Sequence, residues 1–212
     1  MNCLSLPTIL IAIFLLSLPA FPNLTEELSR LSSLDHLPDF LPAGTRCAQE
    51  SSYDRSGGND DSAEGEHSQL PKEGGKFVLA DLKGPGTIYR IWTPTPTEDL
   101  MEFYFDGESE PRIRIPFNDL FSGKVYPFIP PLCGYEAGGN YCYLPIPYAK
   151  SCKILYLGEQ MKYFHIQYAQ WPKSKTVETF PKELGEAQHE ALSEVARIWK
   201  NGIFSVPSDR NL

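Results

Sequence analysis

The chain has few basic side chains, and this scarcity limits the partners that it can have. Its 212 residues include 19 Lys and Arg against 27 Asp and Glu, which gives a formal net charge of −8. A protein that binds the phosphate backbone of nucleic acid needs a basic face. The composition therefore argues against nucleic acid as a partner, while the length suffices for one domain with a sizeable core.

Cysteine and histidine are also scarce, with five and four residues respectively. No two cysteines have the spacing of a metal finger and the histidines are scattered, so we expect neither a metal site nor a cofactor. Two interpretations of the later cysteines stay open: disulfides, with three possible connectivities, or free thiols that are buried or half-buried. These cysteines are Cys47, Cys133, Cys142 and Cys152.

The first 25 residues lack any charged side chain. The segment from Leu4 to Leu18 is mostly apolar but too short for a comfortable membrane span, and Pro19-Ala20 provides a small residue for cleavage. Residues 1–22 are therefore predicted to be a secretory signal peptide, which makes the mature protein secreted or periplasmic, without a stable membrane span. An uncleaved anchor is the alternative, because no Lys or Arg precedes the apolar run.

Aromatic residues make up 12% of the chain and prolines number 19, which favours a β-rich, loop-rich fold. Met101, Phe103 and Phe105 alternate with polar neighbours, as one buried face of a strand requires. Such segments, separated by turn dipeptides, predict an all-β fold: a single antiparallel jelly-roll β-sandwich over residues 41–172. The predicted strands lie near residues 76–80, 87–92, 101–105, 112–115, 141–144, 152–157 and 163–168.

A helix is predicted on each side of the sandwich. Within residues 23–40, leucines recur at helical spacing and predict a short amphipathic helix followed by a linker: Leu24, Leu28, Leu31 and Leu34. Residues 173–212 are predicted to contain a connecting helix over about 181–201 and a tail. Gly202 stands where the cap that ends such a helix is expected.

The stretch from Gln49 to Asp61 has the densest polar chemistry of the chain. It contains four carboxylates and one guanidinium but no aliphatic side chain. Buried polar groups without partners cost free energy, so the stretch is predicted to be a solvated loop or the wall of a polar pocket. Gly57-Gly58 permits a tight turn within it. A disordered acidic loop and a sugar-binding loop are equal alternatives for these residues.

The run from Ser51 to Asp61 also resembles the N-terminal signature of a bacterial family long labelled only as a domain of unknown function. Its members are grouped with glycoside hydrolases that act on fructofuranose and D-arabinofuranose linkages, including difructose dianhydride. The resemblance extends from about Leu31 to Gln170. Four further blocks match in the same order: Gly84 to Trp92, Phe105 to Glu108, Ile115 to Phe121 and Gly138 to Tyr148.

Family members consist of two jelly rolls in tandem, and the strands predicted for this chain suffice for only the first. Glycoside hydrolysis normally requires two carboxyl groups that flank the bond. In the family these are two glutamates that we place in the second jelly roll. The resemblance therefore implies that no residue of this chain is catalytic and that the chain is inactive alone. It also implies a homo-oligomer, or a separately encoded second jelly roll as partner.

The resemblance further implies that the signature run binds a furanoside, with a tryptophan as a stacking platform. The predicted substrate-binding residues are Tyr53, Asp54, Arg55, Asn59, Asp60, Asp61 and Trp92. For Trp92 a core position is favoured over stacking, because a large aromatic residue in a strand is more often core. Two other functions stay open: a stand-alone carbohydrate-binding or protein-interaction module, and a small enzyme that uses Asp54 or Asp60.

Overall fold

The computed structural model describes residues 23–35, 40–58 and 69–202. The predicted signal peptide lies outside these residues. Among the described residues, no helix combines the length and the apolar character that crossing a membrane would require. The elements in chain order are α1 (Leu24–Ser32), β1 (Arg46–Ser51), β2 (Lys72–Glu73), β3 (Lys76–Lys83), β4 (Gly86–Thr93), β5 (Leu100–Phe105), β6 (Ile113–Pro116), α2 (Asp119–Ser122), β7 (Cys133–Glu136), β8 (Gly139–Cys142), β9 (Ile146–Tyr148), β10 (Ser151–Tyr156), β11 (His165–Gln170) and α3 (Glu186–Asn201).

The strands form two antiparallel sheets. The five-stranded sheet has the order β2-β3-β10-β5-β6, and the six-stranded sheet has the order β1-β11-β4-β8-β7 with β9 also paired to β4. Consecutive strands such as β3 and β4, or β10 and β11, belong to different sheets. The predicted all-β sandwich, with a short helix before it and a helix after it, is confirmed.

Alternating side chains from the two sheets fill the space between them. Met101, Phe103 and Phe105 of β5 are each 0% exposed, as their spacing predicts. Ile88 and Ile91 of β4 meet them from the six-stranded sheet and belong to the same buried cluster. Burying one such side chain contributes roughly 1.5–3 kcal/mol, so these faces fix which side of each strand points outward.

The helices differ from their predicted spans at the ends. Helix α1 starts where the Asn23 side chain accepts a hydrogen bond from the Glu26 amide at 3.0 Å, and it ends at Ser32. Leu34, predicted to continue its apolar face, is instead exposed. Helix α3 starts about five residues later than predicted, because the Gln188 side chain caps the Gly185 amide at 2.6 Å. The predicted cap at Gly202 is confirmed, with φ of 65°.

Sequence alternation missed four strands, including β1 at the edge of the six-stranded sheet. Gln49 to Ser51, predicted as the start of a loop, are the end of this strand and pair with β11. The loop prediction is therefore wrong for these three residues. Strand β1 has no alternation to detect, because its first four residues, from Arg46 to Gln49, are all exposed.

Candidate functional site

Three rings lie side by side on the outer face of the six-stranded sheet, and we call them the aromatic row. Strand register places His165 opposite Trp92 and Trp92 opposite Tyr141, and directly opposed residues of antiparallel strands share a face. The His165 and Trp92 ring centroids are 5.1 Å apart. All three side chains are half-buried. Ser51, the last residue of β1, lies opposite His165, so the signature run leaves the sheet beside the row.

Trp92 faces outward because β4 contains a bulge. Its register with β11 shifts between Ile88 and Arg90, which leaves Tyr89 without a paired residue. Strict alternation from the buried Ile88 would place Trp92 in the core, but the extra residue changes the phase. Ile91 becomes core, and Trp92 lies outside both buried clusters. The core position favoured for Trp92 from sequence is therefore wrong.

Two neighbours fix the indole of Trp92. Gly139 of β8 lies so close that a Cβ atom there would be 2.1 Å from the indole Nε1, so only glycine fits. The Arg90 guanidinium carbon lies 5.6 Å from the ring centroid, within cation–π distance. Burial, and secondarily the positive charge of Arg90, lowers the pKa of His165. The row therefore carries a neutral imidazole and a fixed cation at neutral pH.

The base of the signature run is tied to the sheet. The Ser52 amide donates to the Phe164 carbonyl at 3.3 Å, and the Phe164 amide donates to the Ser52 hydroxyl at 3.2 Å. These bonds extend the pairing of β1 and β11 by one step. They hold the residues that follow at the same edge as His165.

Asp54 closes a turn within the run. Its Oδ1 accepts hydrogen bonds from the Ser56 amide at 2.8 Å and from the Ser56 hydroxyl at 2.6 Å. Gly57 has φ of 84°, and its amide donates to the Asp54 carbonyl at 3.3 Å. A Cβ atom on Gly58 would be 2.6 Å from Asp54 Oδ2, so a side chain there would have to displace this carboxylate. The predicted turn at Gly57-Gly58 is present, and Asp54, only 8% exposed, helps to build it.

Arg55 and Tyr53 form a stacked pair at the surface. The guanidinium carbon lies 4.4 Å from the Tyr53 ring centroid, and Tyr53 is 55% exposed. Arg55 donates to the carbonyl of Ser51 at 3.0 Å. Burial raises the pKa of Glu50, an effect that the positive charge of Arg55 opposes. A cation and an exposed ring thus stand at the base of the run.

The structure brings together some, but not all, of the predicted binding residues. Tyr53, Asp54 and Arg55 lie at the base of the run, and Trp92 lies in the row beside it. The other three predicted residues lie outside the described part of the chain: Asn59, Asp60 and Asp61. Sequence reasoning missed His165 and Tyr141. His165 alternates with the buried Phe164 and Ile166 and so lies on the outer face, but only the strand register shows that Trp92 is its neighbour.

Other clefts lie away from the row. One of about 590 Å³ covers the outer face of the five-stranded sheet. On that face Glu102 accepts hydrogen bonds from Lys76 at 2.7 Å, Tyr104 at 2.8 Å and Arg114 at 3.0 Å. Burial opposes ionisation, but these donors prevail and lower the pKa of Glu102. Its charges are matched within the face, which is typical of a structural network.

Among the residues that the structure describes, no three His, Cys, Asp or Glu side chains are grouped so that they could hold a metal ion.

Comparison with protein families gives a match to the model described as the GH172 first beta-sandwich domain, over residues 43–188. This range includes all the strands from β1 to β11 and the start of α3. A search of curated proteins finds no match to the chain.

Proposed function

The chain belongs to the GH172 family of glycoside hydrolases and forms the first β-sandwich domain of that family, and we propose that it binds a furanoside. The substrate is a fructofuranose or arabinofuranose unit, and this domain holds the sugar rather than cleaving it. The single observation that carries the proposal is the aromatic row beside the base of the signature run.

A furanose matches both parts of this surface. Its C–H face covers the half-buried indole of Trp92, where apolar contact with the flat, electron-rich face of the ring favours stacking. Its hydroxyl groups face the cations at Arg55 and Arg90, and hydrogen bonds to charged donors are the stronger ones. We propose that Asn59, Asp60 and Asp61, which lie outside the described residues, also accept hydrogen bonds from the sugar.

Cleavage needs more than these residues supply. A retaining enzyme holds two carboxyl groups roughly 5 Å apart, one as nucleophile and one as acid/base. Asp54 is engaged with Ser56 and helps to close a turn, which suits a structural or binding role. We therefore assign the two catalytic carboxylates to a second jelly roll, and we expect the 212 residues by themselves to be inactive.

Titration of the full chain with fructofuranosyl and arabinofuranosyl oligosaccharides tests the proposal. Calorimetry and tryptophan fluorescence measure the binding. We expect Trp92→Ala and Tyr53→Ala to weaken binding. The matched control is Tyr135→Ala, because Tyr135 is 65% exposed but follows Gly134, which is opposite Tyr141, and so faces away from the row. Equal losses in Tyr53→Ala and Tyr135→Ala, or unchanged affinity in Trp92→Ala, would contradict it.

The loop carboxylates need a separate assay in a form that also contains a second jelly roll. Removing one charged hydrogen-bonding partner by Asp60→Ala costs roughly 1.5–3 kcal/mol, which is about one to two orders of magnitude in kcat/KM. Loss of catalysis with intact sugar binding would instead make this carboxylate part of the chemistry. Loss of folding in Asp54→Ala would assign Asp54 to the turn alone.

We further propose that the mature protein is secreted or periplasmic and associates with copies of itself or with a separate second jelly roll. The uncharged apolar start of the sequence supports export, and Phe40, which is 100% exposed, provides apolar surface before β1. An N-terminus near Phe21, measured by mass spectrometry of protein from its host, would agree with export. A monomer at high concentration in sedimentation, without affinity for a second jelly roll, would contradict association.

A further inference from the structure

Two buried thiols face each other across the hairpin of β7 and β8. Cys133 lies directly opposite Cys142, and their Sγ atoms are 3.3 Å apart. Both residues are 0% exposed. Of the other described cysteines, Cys47 is exposed on β1 and Cys152 is buried on β10.

The strand pairing at this point suits a covalent link. The Tyr143 amide donates to the Leu132 carbonyl at 2.8 Å, which makes that neighbouring pair a hydrogen-bonded one. Because the two kinds of pair alternate, Cys133 and Cys142 occupy a non-hydrogen-bonded pair, where Cα atoms are about 4.5 Å apart. Disulfides require a Cα separation of roughly 4.4–6.8 Å, so the bridge needs little movement of the backbone.

We propose that Cys133 and Cys142 form a disulfide when the protein folds in an oxidising compartment. The two thiols lose one proton each, a sulfur–sulfur bond forms, and two electrons pass to a small-molecule disulfide, which is cleaved to two thiols. The reaction proceeds through a mixed disulfide by ordinary thiol–disulfide exchange.

The link forms before the core closes. The hydrogen-bonded contact with Cys142 and burial raise the pKa of Cys133, so in the folded hairpin this buried group is a neutral thiol rather than the reactive thiolate. During folding the partners meet easily, because β7 and β8 are joined only by Ala137 and Gly138, both with positive φ.

The link also stabilises the aromatic row. Strand β8 carries Tyr141 and the glycine that packs on Trp92, and both precede Cys142 by at most three residues. A cross-link restricts the unfolded chain and keeps the hairpin paired at the edge of the sheet. The redox state of the hairpin thus sets how firmly the row is held.

Refolding the reduced full chain with a mixture of oxidised and reduced glutathione, or with reduced thiols alone, tests this proposal. The remaining free thiols are then alkylated in denaturant, and peptide mass mapping identifies the state of each cysteine. After oxidative refolding we expect one linked peptide pair, Cys133 with Cys142, lighter by two hydrogens. We expect Cys152 to be found alkylated, and Cys47 to carry either the alkyl group or a glutathione adduct. We expect the melting temperature of the oxidised form to be higher by roughly 5 °C or more.

Two variants separate this link from other cysteine chemistry. Cys133→Ala/Cys142→Ala loses the redox dependence of the melting temperature, whereas Cys152→Ala, which also removes a buried thiol, retains it. The proposal is overturned if Cys133 and Cys142 are both alkylated after refolding while Cys47 carries glutathione, or if either pairs with another cysteine. Peptide mapping of the unmodified sequence decides the outcome even where a variant does not fold.

Discussion

The outer faces of the two sheets are built in different ways. On the five-stranded sheet, Glu102 is 4% exposed and three donors surround its carboxylate. On the six-stranded sheet, the Trp92 ring lies beside the neutral His165 imidazole, tilted by 32° to it, and within cation–π distance of Arg90. The first face satisfies its own charges, whereas the second presents ring surface and a cation that an amphipathic ligand can cover. On this difference rests our proposal that the six-stranded sheet, rather than the cleft on the other face, binds the ligand.

Removing the centre of the charge network is expected to have the largest effect on stability. Glu102→Ala leaves Lys76 and Arg114 without their shared acceptor. Because these cations are 34% and 57% exposed and can be hydrated, we expect a loss of about 2–3 kcal/mol rather than the full cost of a buried unpaired charge. Urea denaturation measures it.

Glu73→Ala is the matched control for that change. Glu73 forms the Lys153 ion pair of the same face but is 59% exposed, so we expect a loss below about 0.5 kcal/mol. Sugar binding should be unchanged in both variants. If Glu102→Ala weakened sugar binding at equal foldedness, the assignment of the two faces would have to be reversed.

Gly139→Ala tests the other face and is expected to cost about 2 kcal/mol in unfolding free energy. The added methyl group would overlap the indole, whose Nε1 would be 2.1 Å from it, and such overpacking typically costs 1–3 kcal/mol. Displacing Trp92 should also weaken sugar binding. Gly138→Asn is the control, since Gly138 has open space around its Cβ position and asparagine tolerates its φ of 82°. Equal sugar affinity in both variants would show that the ligand does not contact the indole.

A third test compares two buried carboxylates whose pKa values shift in opposite directions. The pKa of Glu27 on α1 is raised by burial, although the Tyr89 hydroxyl donates to it at 2.7 Å. A raised carboxyl pKa stabilises the protein below the unfolded value of about 4.3, and this contribution is lost as pH rises through the folded pKa. The lowered pKa of Glu102 stabilises the protein above the unfolded value, and this contribution is lost as pH falls through the folded pKa.

Glu27→Gln should therefore remove part of the decrease in stability above pH 4.3, by about 1 kcal/mol at neutral pH. Tyr89→Phe should make that decrease larger and extend it to higher pH, because the bond that lowers the pKa of Glu27 is lost. Unfolding free energies at several pH values, compared between variants, cancel the other titrating groups. Parallel curves for all three proteins would contradict the buried, raised carboxyl.

The architecture follows from local pattern, but the site depends on pairings between distant segments. Alternation suffices for β5, because Met101, Phe103 and Phe105 all face the core. It fails for β1, an edge strand whose exposed residues carry no period. It also fails at the β4 bulge, where one extra residue turns Trp92 outward. No local pattern predicts that His165, far along the chain, lies beside that ring.

The polar run shows the same limit within a few residues. Its composition predicts a turn, and Gly57 adopts the positive φ that such a turn needs. Composition does not tell which acid binds ligand and which builds the turn. Asp54 takes the second role in the described bonds, because Ser56 stands two residues later and offers two donors.

The smallest expected effect concerns His165 and the cation beside it. Burial, and then Arg90, lowers the pKa of His165, so the folded protein prefers the neutral ring. A histidine with a lowered pKa leaves stability unaffected above the unfolded value of about 6.5 and reduces it as pH falls through the folded pKa. His165→Gln should remove this acid-sensitive part of the stability, which we expect to be below about 0.5 kcal/mol at a half-buried site.

Arg90→Gln should also reduce the acid sensitivity, because it removes the charge that repels a protonated His165, and it should weaken sugar binding. Melting temperatures between pH 5 and 7.5 measure the first effect, and calorimetry measures the second. If neither variant changed the pH dependence of the melting temperature, the His165 imidazole would have to be hydrated rather than held against Trp92. The surface offered to a ligand would then consist of two rings instead of three.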